Sequence, residues 1–150
     1  MTALADIRGA SHLALDVADL GASIEFYRRV LGMRILVDAT DDPVQPNVKG
    51  MVGDFLIELA QLPATAVGSA IAAARLTLPG PSFALTVRDA HAAFARLQAE
   101  RLVTVDAPAC TLGVVYFSFR DLDNHAIELI EMPDGAASLG AMIAAHVDAQ

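Results

Sequence analysis

Two short stretches alternate apolar residues with small or polar ones: His12-Leu13-Ala14-Leu15-Asp16-Val17 and Ser82-Phe83-Ala84-Leu85-Thr86-Val87. Alternation of this kind predicts a strand with one buried face. Each stretch leads to an aspartate, Asp19 or Asp89, at the place of a helix N-cap. Beyond Asp19, Ile24, Tyr27, Val30 and Leu31 keep helical spacing, and Gly32 follows as a C-terminal stop. Beyond Asp89, Phe94 and Leu97 mark one face of a helix from about Ala90 to Glu100. Further strands are predicted at about Arg34–Ala39, Val48–Val52, Phe55–Leu62, Val103–Asp106, Val114–Phe119 and Ala126–Glu131. The stretch from Asp41-Asp42-Pro43 to Pro46-Asn47 reads as a loop.

The two predicted series are copies of one another. Placing His12 over Ser82, at an offset of 70 residues, brings Ala14 onto Ala84, Leu15 onto Leu85, Val17 onto Val87 and Asp19 onto Asp89. The same offset brings Ile57-Glu58-Leu59 onto Ile127-Glu128-Leu129 and Pro63 onto Pro133. Two matched blocks with one offset and no gap predict an internal duplication. The expected architecture is α+β: one domain over 1–150, with two tandem βαβββ modules at about 7–62 and 82–131. A linker at about 63–81, with room for a short helix, joins them, and a C-terminal helix covers about 136–149.

The opening residues Ser11-His12-Leu13-Ala14-Leu15-Asp16-Val17-Ala18-Asp19-Leu20 and Phe26-Tyr27-Arg28-Arg29-Val30-Leu31-Gly32-Met33, with the closing Phe119-Arg120-Asp121-Leu122-Asp123-Asn124-His125-Ala126-Ile127-Glu128-Leu129, resemble the signatures of the vicinal oxygen chelate superfamily, which includes glyoxalases, bleomycin-resistance proteins and extradiol dioxygenases. The family's usual closing turn is Asp-Pro-Asp-Gly. Here Leu122 and Asn124 stand in two of those positions, and Asn tolerates the left-handed conformation that Gly would take. The resemblance implies two modules that curl a mixed sheet into a cup, with helices outside and a divalent metal between the halves. Carried over, the ligand positions are His12, Glu58, Ser82 and Glu128. Ser82 departs from the family, which usually has His there, and a neutral hydroxyl is a poor ligand for a divalent cation.

Strand alternation supports the same set. Ile57 and Leu59 should face the helices, which sends Glu58 to the opposite face, and Glu128 follows the same logic between Ile127 and Leu129. The resemblance thus implies His12, Glu58 and Glu128 as metal ligands, with Glu58 and Glu128 as candidate catalytic carboxylates. Ser82, Ala14, Leu56, Ala84, Ala126 and Tyr116 are the candidate substrate contacts. Tyr116, Ser118 and Arg120 share one face of their strand and Phe117 and Phe119 the other; the pattern leaves open which set meets the ligand. The ordinary alternatives are a surface histidine at His12 and rim carboxylates at Glu58 and Glu128. His125 reads as a turn residue, His91 as solvent-facing, and His146 as structural or exposed. Cys110 lies in a loop-like stretch with no assignable base.

Composition narrows the chemistry. The chain carries 18 acidic and 10 basic residues, for a formal charge of −8, and has no Lys/Arg cluster, which argues against a nucleic-acid partner. No run of about 18 apolar residues indicates a membrane span. The N-terminal residues lack a signal-peptide pattern, and a lone cysteine fits a reducing cytoplasm. The 55% hydrophobic content fits a large core, an apolar pocket or a homodimer interface. Two carboxylates and an imidazole suit Zn, Ni, Co, Fe or Mn. The resemblance then implies glyoxalase-like lyase or isomerase chemistry, in which the metal or a site carboxylate stabilises an enolate and a proton is moved on a small, partly apolar substrate. The alternative is a metal-free binding protein of the antibiotic-sequestering type, or an isomerase that works by a carboxylate alone. Extradiol cleavage ranks lower, because Ser82 removes a second histidine.

Overall fold

The computed structural model describes residues 10–63, 82–101 and 105–148. The chain divides into two compact units, Met1–Ala72 and Ala73–Gln150. The first contains β1 (Leu13–Val17), α1 (Leu20–Leu31), β2 (Arg34–Ala39), β3 (Asn47–Val52) and β4 (Phe55–Gln61). The second contains β5 (Ser82–Val87), α2 (Ala90–Glu100), β6 (Ala109–Thr111), β7 (Val114–Arg120), β8 (Ala126–Glu131) and α3 (Leu139–Asp148). Each unit holds a four-stranded mixed sheet, in the orders β1-β4-β3-β2 and β5-β8-β7-β6. The first strand runs parallel to the last, and the remaining pairs are antiparallel. The fold is α+β with two tandem βαβββ modules, as the repeat predicts.

The alternation behaves as expected. Leu15, Val17, Ile57 and Leu59 are buried on one face of the first sheet, together with Leu20, Phe26 and Tyr27 of α1. In the second unit Phe117, Phe119, Ile127 and Leu129 are buried with Ala93 and Leu97 of α2. Phe94 of α2 meets Phe117 edge-on at 5.7 Å between ring centroids. The helices thus cover one face of each sheet and leave the other to different residues.

Both helices start in the same way. Asp19 Oδ1 accepts from the Ala22 amide at 2.9 Å, and Asp89 Oδ1 accepts from the Ala92 amide at 2.7 Å. A second cap comes from the last strand of each module. Gln61 Oε1 accepts from the Leu20 amide at 2.8 Å, and Glu131 Oε2 accepts from the Ala90 amide at 2.7 Å. These are the first amides of each helix, which have no partner inside it. Gln61 Nε2 also donates to the Ala18 carbonyl at 2.7 Å. In the loop before β3, Asp42 Oδ1 accepts from the Gln45 and Val44 amides, and these bonds hold its carboxyl below the usual value.

The turn between β7 and β8 is built on Asp121. Its Oδ1 accepts from the amides of His125 at 2.8 Å and Asp123 at 3.0 Å, and its Oδ2 lies 2.8 Å from His125 Nδ1. Both side chains are buried. His125 is a turn residue, as expected, and Asn124 adopts the left-handed conformation at φ 66°.

Two expectations need correction. Of the strand expected at Val103–Asp106, residues 103 and 104 lie outside the described residues, and Val105 makes an isolated bridge to Phe119. The stretch around Cys110, which reads as loop because it is short and fully exposed, forms a strand at Ala109–Thr111. The offset of 70 also does not run unbroken. It holds where β1 meets β4 and β5 meets β8, since Leu13 pairs with Ile57 and Phe83 with Ile127. In the following ladder, however, Lys49 pairs with Glu58, whereas Ser118 pairs with Glu128. Only Gly53 and Asp54 separate Val52 from its partner Phe55, while residues 121–125 separate Arg120 from Ala126. The longer turn moves the register by one residue. The short helix considered for the linker, and the side chain of His146, lie outside the described residues.

Candidate functional site

In the first unit, Ile57 and Leu59 are buried, so Glu58 between them points to the face away from α1. Val48 and Val52 are buried in β3, which puts Lys49 on the same face as Glu58. Lys49 Nζ lies 3.1 Å from Glu58 Oε1, and His12 Nε2 lies 3.3 Å from Glu58 Oε2. Ser11 Oγ lies 3.0 Å from His12 Nδ1, and Lys49 Nζ also donates to Asn47 Oδ1 at 3.3 Å. Both carboxylate oxygens of Glu58 therefore meet a basic group. Ala14 sits beside Glu58 in register, and Leu56 lies two residues along the same face. Lys49 was not among the expected site residues; the alternation Val48-Lys49-Gly50-Met51-Val52 gives its face, and the register gives its partner. Gly50 has a separate role: a Cβ there would come within 2.7 Å of Met33 Cγ, so its absence lets Met33 pack beneath the sheet.

In the second unit Glu128 occupies the matching place between buried Ile127 and Leu129. Its cross-strand neighbours are Ala84 and Ser118. The face left open by the pattern is now assigned. Phe117 and Phe119 pack toward α2, and Tyr116, Ser118 and Arg120 share the face of Glu128. Arg120 Nη1 donates to the Asn124 carbonyl at 3.0 Å. Glu128 lines a cavity of about 580 Å³ with Val114, Tyr116 and Ile130 from the sheet, Thr111 and Leu112 from the β6–β7 hairpin, and Leu139, Met142, Ile143 and Ala145 from α3. Tyr116 Oη lies 3.5 Å from Thr111 Oγ1. Ser82 is exposed at the start of β5, paired with Ala126. Ser82, Ala84 and Ala126 are not among the residues that line the cavity. The wall supplied by α3 was not foreseen.

A family profile for the Glyoxalase/Bleomycin resistance protein/Dioxygenase superfamily matches residues 9–129. The chain belongs to that superfamily. No curated protein matches the sequence. Among solved structures, this superfamily member is similar to a mutant fosfomycin resistance protein FosX from Listeria monocytogenes complexed with Mn(II) and 1S,2S-dihydroxypropylphosphonic acid: TM-score 0.67, 18% identity, 89% of this chain and 95% of that one. It is similar to FosX from Mesorhizobium loti, with TM-score 0.64, 20% identity and coverage of 92% and 98%. A glyoxylase/bleomycin resistance protein/dioxygenase domain from Frankia sp. EAN1pec gives TM-score 0.65, 23% identity and coverage of 87% and 96%. Identities this low establish the fold alone.

The Mn(II) of the Listeria protein raises the question of which groups could hold a cation in this superfamily member. Within the first unit, His12 and Glu58 offer one nitrogen and one carboxylate, but the Lys49 ammonium already occupies the carboxylate. Within the second unit, Glu128 stands beside Ser118 and Ala84, neither of them a strong donor. Among the described residues no group of three or more His, Cys, Asp or Glu is placed to hold a metal ion. The donors within either unit do not make up a metal set. No helix among the described residues is long and apolar enough to cross a membrane.

Proposed function

We propose that this protein takes up a small, partly apolar organic molecule and moves a proton on it, with Glu128 as the acid–base group. The observation that carries the reading is the position of Glu128 as the one carboxylate, among the described residues, lining a largely apolar cavity. Ligand sites are usually apolar clefts with a few placed polar groups. The carboxylate accepts a proton from the substrate and returns it at a neighbouring atom, which makes the reaction an isomerisation or, where a leaving group departs, a lyase step. Tyr116, on the same face, supplies a hydroxyl to a substrate oxygen. Glu58 acts differently, because Lys49 and His12 hold it; it serves to position polar groups or to exchange protons through His12. The superfamily reading of His12, Glu58 and Glu128 as metal ligands joins residues of both units, and metal content after purification without chelator tests it.

The apolar lining also favours a second reading, in which the cavity is a metal-free receptacle of the antibiotic-sequestering type. Deuterium incorporation separates the two. The protein is incubated in D₂O with a panel of small carbonyl compounds, and exchange is followed by NMR. General acid–base catalysis contributes roughly 10²–10⁴-fold, so Glu128→Gln should reduce exchange by about that factor. A panel in which compounds bind, as read by thermal shift, and none exchanges would leave only the receptacle. A double-variant cycle of Glu58→Gln and Glu128→Gln asks whether the two carboxylates act on one ligand, since non-additive losses mark a shared event.

A further inference from the structure

We infer that the cavity of the second unit takes an organic ammonium, a molecule with an apolar body and a protonated amine seated on Glu128. The inference rests on the proposed role of Glu128 and adds the chemistry of its ligand. Glu58 and Glu128 hold the same place in their modules, each paired with an alanine of the first strand, Ala14 or Ala84. Their other neighbours differ. Across the ladder Glu58 meets Lys49, at 3.1 Å, and Glu128 meets Ser118. Among the described residues, one glutamate meets a cation of its own unit and the other does not. Among the described residues no hydrogen bond or ion pair reaches the Glu128 carboxylate. Arg120, further along the same strand face, is tied to the Asn124 carbonyl.

The remaining surroundings are largely apolar, and Glu128 is half-buried among them. Val114, Ile130, Met142 and Ile143 line the cavity, and an ionised carboxylate beside apolar walls is stabilised by a paired charge. An ammonium on the ligand supplies that charge, and a ligand carboxylate is repelled. The volume of about 580 Å³ lies within the range of sites for drug-sized molecules, roughly 300–1,000 Å³. It has room for an aromatic ring and a short chain. Tyr116 and Thr111 add hydroxyls at the wall for a second polar group on the same ligand.

The test uses three probes of one shape: 4-phenylbutylamine, 4-phenylbutanol and 4-phenylbutyrate. Each is titrated calorimetrically into wild type, Glu128→Gln and Met142→Trp. In wild type the amine binds roughly tenfold more tightly than the alcohol, equivalent to about 1.4 kcal/mol, and the acid binds most weakly. Glu128→Gln brings the amine down to the level of the alcohol. Met142→Trp, which adds bulk to the cavity wall from α3 and keeps Glu128, weakens amine and alcohol together. No binding by the amine, an amine no tighter than the alcohol, or a preference that survives Glu128→Gln overturns the inference. The acid–base reading fails separately, if Glu128→Gln leaves deuterium exchange unchanged while the preference for the amine stands.

Discussion

Lys49 is placed to decide whether a cation can reach Glu58, and Lys49→Met tests this directly. The ammonium lies 3.1 Å from Glu58 Oε1, with side-chain exposures of 35% for Lys49 and 18% for Glu58. Two unit charges at that distance attract by roughly 1.3 kcal/mol in bulk water and about 5 kcal/mol at an effective dielectric constant near 20. The exposure of Lys49 places the pair toward the weaker limit, since exposed pairs are worth about 0–1 kcal/mol. A divalent cation arriving at Glu58 must displace this contact and then sit beside a like charge. Removing the ammonium should therefore raise Mn(II) affinity by about tenfold, or about 1.4 kcal/mol. Met keeps much of the apolar stem, and Lys49→Arg keeps the charge as a control. Isothermal titration of Mn(II) into the three proteins is the assay. An unchanged affinity in Lys49→Met, or an equal gain in Lys49→Arg, would refute the reasoning.

Three further outcomes follow from other parts of the molecule. Asp121→Ala removes a buried acceptor from the amides of His125 and Asp123 and from the His125 ring; it should cost about 2–4 kcal/mol in urea unfolding, and a loss below ~0.5 kcal/mol would contradict the role of the turn. Gly50→Ala places a Cβ 2.7 Å from Met33 Cγ and 3.0 Å from the Arg34 carbonyl; the overpacking should cost about 1–3 kcal/mol, read as a lower Tm. Leu139, Ile143 and Val147 recur every four residues on α3 and are 39%, 52% and 65% exposed. This stripe fits a homodimer, the commonest closed assembly, so light scattering should give twice the 15.7 kDa chain mass, and a monomer at working concentration would exclude it.

Much of the architecture is written in local pattern. The alternation through Leu13–Val17 and Ser82–Val87, the caps Asp19 and Asp89, and the block around Glu58 and Glu128 each report on their own neighbourhood. Together they define the modules and the outward direction of both glutamates. The different surroundings of those glutamates are not local. Glu58 gains Lys49 and Glu128 gains Ser118 because two hairpins of unequal turn length set different registers. The residue pairing thus depends on turn geometry, which hydrophobic alternation does not encode. The α3 wall of the cavity is tertiary for the same reason: Met142 and Ile143 are ordinary helix residues until they face Ile130 and Glu128 across the cavity. The strand at Ala109–Thr111 carries no signal at all, since every residue in it is exposed.

The caps from Gln61 and Glu131 bear on how the chain assembles. Each joins the first turn of a helix to a residue 41 positions later, at the end of its module. The same final strands, β4 and β8, lie between the first strand and the third in their sheets. During synthesis β1 therefore has no partner within its unit until β4 emerges, and the opening turn of α1 keeps a bare amide for as long. Half a module is left with exposed strand edges and an open helix start, the features that invite association with other chains. Truncations that end within a module, just short of Gln61 or Glu131, should leave that module aggregation-prone rather than folded.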